Sequence, residues 1–110
     1  MLSAGGVHEV PISFSGLDVS DGPVGAVEHT IRAVGAATAV LCALRPGDAL
    51  GVRGPFGTAW DLATAEGGDV VVMAGGIGLA PLRPVVEHLE ARRGAFGTIT
   101  VLVGARSPHD

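Results

Sequence analysis

Three glycines surround Ile77 in the run Gly75-Gly76-Ile77-Gly78-Leu79-Ala80-Pro81, directly after the apolar segment Val70-Val71-Val72-Met73-Ala74. A pyrophosphate carries negative charge and needs a wall free of bulky side chains. A strand that ends in glycines and feeds a helix meets both needs. The bare backbone allows close approach, and the unpaired N–H groups at the helix start, with the helix dipole, stabilise the anion. On this reading Gly75, Gly76, Gly78, Ala80 and Pro81 hold the pyrophosphate of a dinucleotide. The spacing departs from G-x-G-x-x-G, so the argument rests on the strand before the turn and the helix after it. The alternative is a turn that only packs a helix on a sheet, which a chain with 18 glycines makes available.

No other constellation carries chemistry. His8, His29, His88 and His109 are scattered without metal-ligand spacing. Ser13 and Ser15 lack a nucleophile elbow, so no hydrolase is expected. The single cysteine, Cys42, reads as a small buried residue and cannot build a four-thiolate cluster alone. Arg53 faces either a ligand or solvent, Arg32 either supplies a cation or pairs with Glu28, and Trp60 reads as packing at a domain junction, with contact to a bound cofactor as the lesser alternative. Glu87, Glu90, Arg92 and Arg93 read as a solvated helix surface, and Asp69 as the opening of the apolar strand.

The elements that position the turn follow from periodicity. Residues 70–74 form a β-branched run expected of a strand buried on both faces of a parallel sheet. Leu82, Val85, Val86 and Leu89 fall at i, i+3, i+4 and i+7, the stripe of an amphipathic helix. Pro81 and Pro84 are expected in its first turn, and Arg92-Arg93-Gly94 at its end. Residues 98–103 read as a second strand, which makes one β–α–β unit with a right-handed crossover. Upstream, strands are expected over 10–15, 28–34 and 49–52. Ser20-Asp21-Gly22-Pro23 and Arg45-Pro46-Gly47-Asp48 are turns, 39–44 is a short helix, and 54–57 stops the last strand.

The chain has 110 residues, 7 Lys plus Arg against 11 Asp plus Glu, and a net charge of −4. That length holds one small domain at most. The acidity removes the basis for nucleic-acid binding. No signal peptide is visible at the first residues and no apolar stretch is long enough to span a membrane, so a cytoplasmic location is expected. The mean hydropathy of +0.47 is high for so short a chain. Either the fold is mostly buried or part of it is normally covered.

The order Gly-Gly-x-Gly-x-Ala-Pro resembles the pyridine-nucleotide motif of the ferredoxin–NADP reductase superfamily. Gly54-Pro55-Phe56-Gly57 after Gly51-Val52-Arg53 looks like the segment that closes that family's flavin barrel. Gly35-Ala36-Ala37-Thr38 resembles its turn at the FAD pyrophosphate, and Val10-Pro11-Ile12-Ser13 sits where the family carries Arg-x-Tyr-Ser. Gly104-Ala105-Arg106-Ser107 resembles the loop beside the nicotinamide cofactor. The branch that looks most similar holds the FAD- and NAD(P)-binding reductase subunits of hydrogenases, anaerobic sulfite reductases and dihydroorotate dehydrogenases.

The resemblance implies an α/β fold with a partial β-barrel: an incomplete flavin-binding antiparallel barrel over 1–60, a linker over 61–68, and the first β–α–β unit of a parallel nucleotide-binding sheet over 69–110. It implies FAD at Pro11, Ile12, Ser13, Arg32, Gly35 and Thr38, with the Ser13 hydroxyl near flavin N5. It implies NAD(P) at the glycine turn, with Gly104 and Arg106 at the nicotinamide end. The activity implied is an FAD-dependent NAD(P)H oxidoreductase. Hydride would pass between nicotinamide and flavin, and electrons would go on to an iron–sulfur or hydrogenase/reductase catalytic subunit. Such transfer needs no acid or base from the protein, so no catalytic residue is assigned. A 2Fe-2S cluster is implied only for the C-terminal part of a parent protein, of which this chain looks like an internal fragment. Val10 and Ile12 replace the motif's Arg and Tyr, which leaves Arg32 as a candidate replacement cation. Two alternatives stay open: a truncated, non-catalytic fragment, and a small nucleotide-binding regulatory module using only the β–α–β half.

Overall fold

The computed structural model describes residues 1–6, 9–18 and 25–107. His8, His109 and the expected turn at Ser20-Asp21-Gly22-Pro23 lie outside the described residues. The helical stripe and the apolar strand run organise the C-terminal half. Strand β5 (Val70–Gly75) pairs in parallel with β6 (Ile99–Gly104), from Val70 opposite Ile99 to Gly75 opposite Gly104. Helix α2 (Leu79–Ala91) connects them. Val72, Val85, Leu89 and Phe96 form its core, with Leu62, Leu82 and Val86 packed alongside. Leu89, the last residue of the expected stripe, is fully enclosed. The β–α–β unit therefore matches the periodicity that predicts it.

Two features of this unit differ from expectation. Residues 70–74 are not buried on both faces: Val72 and Ala74 are covered, but Val71 and Met73 are 62% and 70% exposed. Helix α2 packs on one face, and no described element covers the other. Pro84 lies in the helix interior rather than its first turn, because the helix begins at Leu79. Lacking an N–H, Pro84 leaves the Ala80 carbonyl without its usual partner.

The entry to the pair is pinned by side chains. Asp69 Oδ1 accepts from the Thr98 N–H at 2.6 Å, and Gly97 N–H donates to the Gly68 carbonyl at 2.8 Å. Asp69 thus does more than open the strand, since it sets the register. Arg93 donates to the Phe96 and Gly97 carbonyls at 3.1 and 2.6 Å, and Arg92 pairs with Glu66 at 2.6 Å. These two arginines tie the return loop, where the sequence suggests only a solvated surface. Leu62 and Ala65 of the expected linker pack on this core.

The N-terminal half is built from short antiparallel pairs. Strand β1 (Leu2–Ser3) pairs with β4 (Gly51–Val52), β2 (Gly16–Asp18) pairs with β3 (Ala26–Glu28), and Val10 bridges to Leu2. Helix α1 (Ala36–Ala43) places Leu41 against Leu2 and Ala4 in a second small core. The turn at Arg45 to Asp48 closes as expected, with the Asp48 N–H donating to the Arg45 carbonyl at 2.9 Å.

The strands expected over 10–15 and 28–34 do not form as such. Pro11 has no N–H to give to a ladder. Beyond it, a side chain meets the backbone instead, with His29 Nδ1 3.0 Å from the Ser13 carbonyl, while Thr30 Oγ1 donates to the Ser15 hydroxyl at 2.9 Å. Cys42 is exposed, not buried, with its thiol 3.7 Å from the Ile31 carbonyl. Trp60 is 61% exposed and does not pack at a junction. Among the described residues no helix is long and apolar enough to cross a membrane.

Candidate functional site

The glycine turn lies where β5 hands the chain to α2 through a single tight turn, Gly76–Gly78. Gly76 has φ +51, the left-handed region that glycine enters at least cost. Gly75 and Gly78 have ordinary backbone angles. A Cβ added at any of the three meets no heavy atom within 4 Å. Protein packing therefore does not require the bare backbone at 75 and 78. The open space is a cradle that side chains would fill, which fits a ligand brought close to the backbone.

Gly75 and Gly76, but not Gly78, line a cleft of about 390 Å³. Its lining is Arg32, Gly75, Gly76, Ile77, Gly104, Ala105 and Arg106. The parallel register brings Gly104 opposite Gly75, so the ends of both strands open on the same side. Two arginines and no carboxylate line this cleft, although the chain as a whole is acidic. Gly76 and Ile77 also line an adjoining, more apolar groove of about 520 Å³ that includes Ala80, Val101 and Val103. Pro81 lies half-buried in the first turn of α2.

The structure separates Arg32 from the flavin-type motif. Arg32 lines the cleft of the glycine turn. It does not pair with Glu28, whose carboxylate instead meets Arg83 of α2 at 2.6 Å.

A second cleft of about 520 Å³ collects Pro11, Ile12 and Ser13. Phe14, His29, Val52, Arg53 and Phe56 share its lining. Most of the lining is apolar, with the Phe14 and Phe56 rings available to a flat aromatic group. Arg53 lies over the Phe56 ring at 4.9 Å and binds Glu9 through two nitrogens, the shortest contact being 2.5 Å. The hydrogen bond from Arg53 is the main cause holding the Glu9 carboxyl below its ordinary pKa; desolvation opposes it, and Coulombic attraction to Arg53 and to the N-terminal ammonium adds to it.

Gly35 and Thr38 lie at the start of α1 and line neither cleft. Thr38 Oγ1 accepts from the N–H groups of Val34 and Gly35 and donates to the Gly35 carbonyl, each at 3.0 Å. A hydroxyl has one proton and two lone pairs, so this one is fully used as a helix cap.

The sequence reading missed His29, Phe14 and Phe56 as cleft residues. Their signal is weak. His29 has no metal-type spacing, and Phe14 continues a segment that reads as an ordinary strand. Among the described residues no group of three His, Cys, Asp or Glu is placed to hold a metal ion.

No family model and no solved structure matches the chain. Curated relatives do. The chain is 38% identical over 109 residues to the γ subunit of sulfhydrogenase 1 from Pyrococcus furiosus, covering 99% of this chain and 36% of the relative. It is 42% identical over 109 residues to the probable dihydroorotate dehydrogenase B (NAD(+)) electron transfer subunit of Methanopyrus kandleri, covering 99% and 37%. The corresponding subunit from Streptococcus pneumoniae is 38% identical over 94 residues, covering 84% and 34%. The chain thus spans about a third of the length of the relatives it matches. It is homologous to sulfhydrogenase γ subunits and to dihydroorotate dehydrogenase B electron-transfer subunits, the branch of reductase subunits that its glycine motif resembles.

Proposed function

We propose that this chain carries cofactor-facing parts of an electron-transfer subunit that takes hydride from NAD(P)H onto FAD and passes electrons to a catalytic partner with an iron–sulfur centre. The observation that carries the reading is the open glycine cradle between β5 and α2, faced by Arg32 and Arg106. The names of the homologues support it, since they are electron-transfer and hydrogenase subunits. FAD, when bound, converts a two-electron hydride into single electrons that can leave one at a time.

The protein's part is binding and orientation. Gly75, Gly76 and Gly78 admit the dinucleotide's pyrophosphate to the backbone, and the first turn of α2 turns its N–H groups and positive dipole end toward it. Arg32 and Arg106 add charge from the facing walls of the cleft, and Gly104 keeps its rim open. Pro11, Ile12 and Ser13 form one wall of the apolar cleft and hold the flavin ring, while Phe14 and Phe56 exclude water from it. The fold in this reading is part of an antiparallel flavin barrel followed by the first parallel unit of the nucleotide sheet.

Titration with FAD, followed by anaerobic NADH, tests this. Quenching of flavin fluorescence and then bleaching of its visible band are expected. A chain that binds neither cofactor overturns the reading. Binding of NADH without FAD favours the regulatory module that uses only the β–α–β half.

A further inference from the structure

The cleft that carries Pro11, Ile12 and Ser13 contains an imidazole to which the proposed function gives no task. His29 Nδ1 lies 3.0 Å from the Ser13 carbonyl oxygen, sixteen residues away in sequence. A carbonyl only accepts, so Nδ1 carries the proton and donates. The other ring nitrogen, Nε2, is buried and has no partner among the described residues. The hold on Ser13 is therefore the one hydrogen bond that this imidazole contributes among the described residues. The ring itself is fixed against Phe14, with centroids 5.1 Å apart and planes tilted by 40°.

Ser13 depends on this bond because it lies outside the strand ladder. Pairing of β2 with β3 starts at Gly16 opposite Glu28. Ser15 extends it by donating its N–H to the Glu28 carbonyl at 2.8 Å and accepting from Thr30 at 2.9 Å. One step further along, the backbone partner is replaced by the His29 side chain. The end of the segment nearest the cleft is thus set by an imidazole that also lines the cleft.

We propose that His29 is a positioning residue for the flavin site, holding Ser13 so that its hydroxyl faces the flavin edge. This rests on the flavin reading above. It goes beyond that reading by placing the orientation of Ser13 on one side-chain atom, Nδ1. Loss of the Nδ1 donor weakens flavin binding even where the fold is intact.

Asparagine and glutamine separate the two ring positions. Asn carries an N–H close to the place of Nδ1, and Gln carries one close to the place of Nε2. The full chain and its H29N, H29Q and H29L variants are titrated with FAD, reading fluorescence quenching and the shape of the visible flavin band. The melting temperature of each cofactor-free protein is measured in parallel.

H29N is expected to bind as the wild type does. H29Q and H29L are expected to bind about tenfold more weakly, with an altered band, while melting like H29N. Binding by H29Q as tight as by H29N overturns the proposal, as does a loss that simply follows melting temperature across the series. A wild-type chain that binds no FAD overturns the flavin reading and this inference with it. Wild-type binding that all three variants retain overturns the positioning role alone.

Discussion

Arg83 Nη1 lies 2.6 Å from Glu28 Oε2, and this pair joins the helix behind the glycine turn to the strand beside the flavin-type cleft. The same guanidinium meets Glu87 at 2.8 Å. The apolar groove next to the glycine turn therefore has its cation compensated by Glu28 and Glu87.

Removing the carboxylate with Glu28→Gln tests how much the pair holds the halves together. Both side chains are about half exposed, so solvent and salt weaken the interaction. A melting temperature lower by a few degrees at low salt is expected, with the difference gone at about 0.5 M salt. Calorimetry at two ionic strengths reads this directly, and a salt-independent loss would contradict it.

The glycines of the turn separate ligand space from backbone need. A Cβ at position 78 meets no heavy atom within 4 Å and φ is ordinary there, so the melting temperature of Gly78→Val should stay close to that of the wild type. Its Cβ branch fills the cradle, and NADH binding should be lost while FAD binding persists. Gly76→Ala should instead destabilise the fold by about 1–2 kcal/mol, because φ is +51 there. Equal NADH affinity for wild type and Gly78→Val would remove the pyrophosphate from this turn.

Leu89 is the fully enclosed residue of the C-terminal core. Leu89→Ala should cost about 2–5 kcal/mol through lost burial and the cavity left behind. Small domains hold only about 5–15 kcal/mol in total, so the midpoint of chemical denaturation should fall markedly. A variant that melts like the wild type would place the core elsewhere.

The Glu9–Arg53 bond gives stability a pH dependence. The carboxyl is held below its ordinary value in the folded chain, so the unfolded chain takes up a proton first as pH falls. The contribution is full at neutral pH, declines from the ordinary carboxylate range near pH 4.5, and is gone once pH falls below the lowered folded value. Melting curves of wild type and Glu9→Gln should therefore differ at neutral pH and converge in strong acid. A gap that widens on acidification would reverse the sign.

The open face of β5 carries Val71 and Met73, with Leu102 of β6 beside them, all exposed. Concentrated protein is expected to self-associate through this face, and Met73→Glu should shift a size-exclusion profile toward monomer without lowering the melting temperature. A sharp monomer peak with a cooperative transition for the wild type would contradict this. The exposed face also accounts for the high mean hydropathy in a chain this short.

Local sequence determined the β–α–β unit. Residues 70–74, the stripe Leu82, Val85, Val86 and Leu89, and the glycines between them each dictate conformation within a few residues, so their order in the chain is enough to place them. The N-terminal half was less legible. There, Pro11 interrupts a ladder, His29 meets the Ser13 carbonyl with a side chain in place of a backbone partner, and Thr30 bonds the Ser15 hydroxyl, both from a segment that is distant in sequence.

Tertiary structure alone decided which residues meet. Arg32 reads as a partner of Glu28 or of flavin phosphate; in the folded chain it lines the glycine cleft, and Arg83 from α2 meets the Glu28 carboxylate. Thr38 is placed in the sequence at a turn expected to meet the FAD pyrophosphate, and only the folded chain shows its hydroxyl bonded to Val34 and Gly35 at the start of α1. Periodicity specifies the face on which a residue lies. The competition between distant groups for one charge or one hydrogen-bonding position is settled only when the chain has folded.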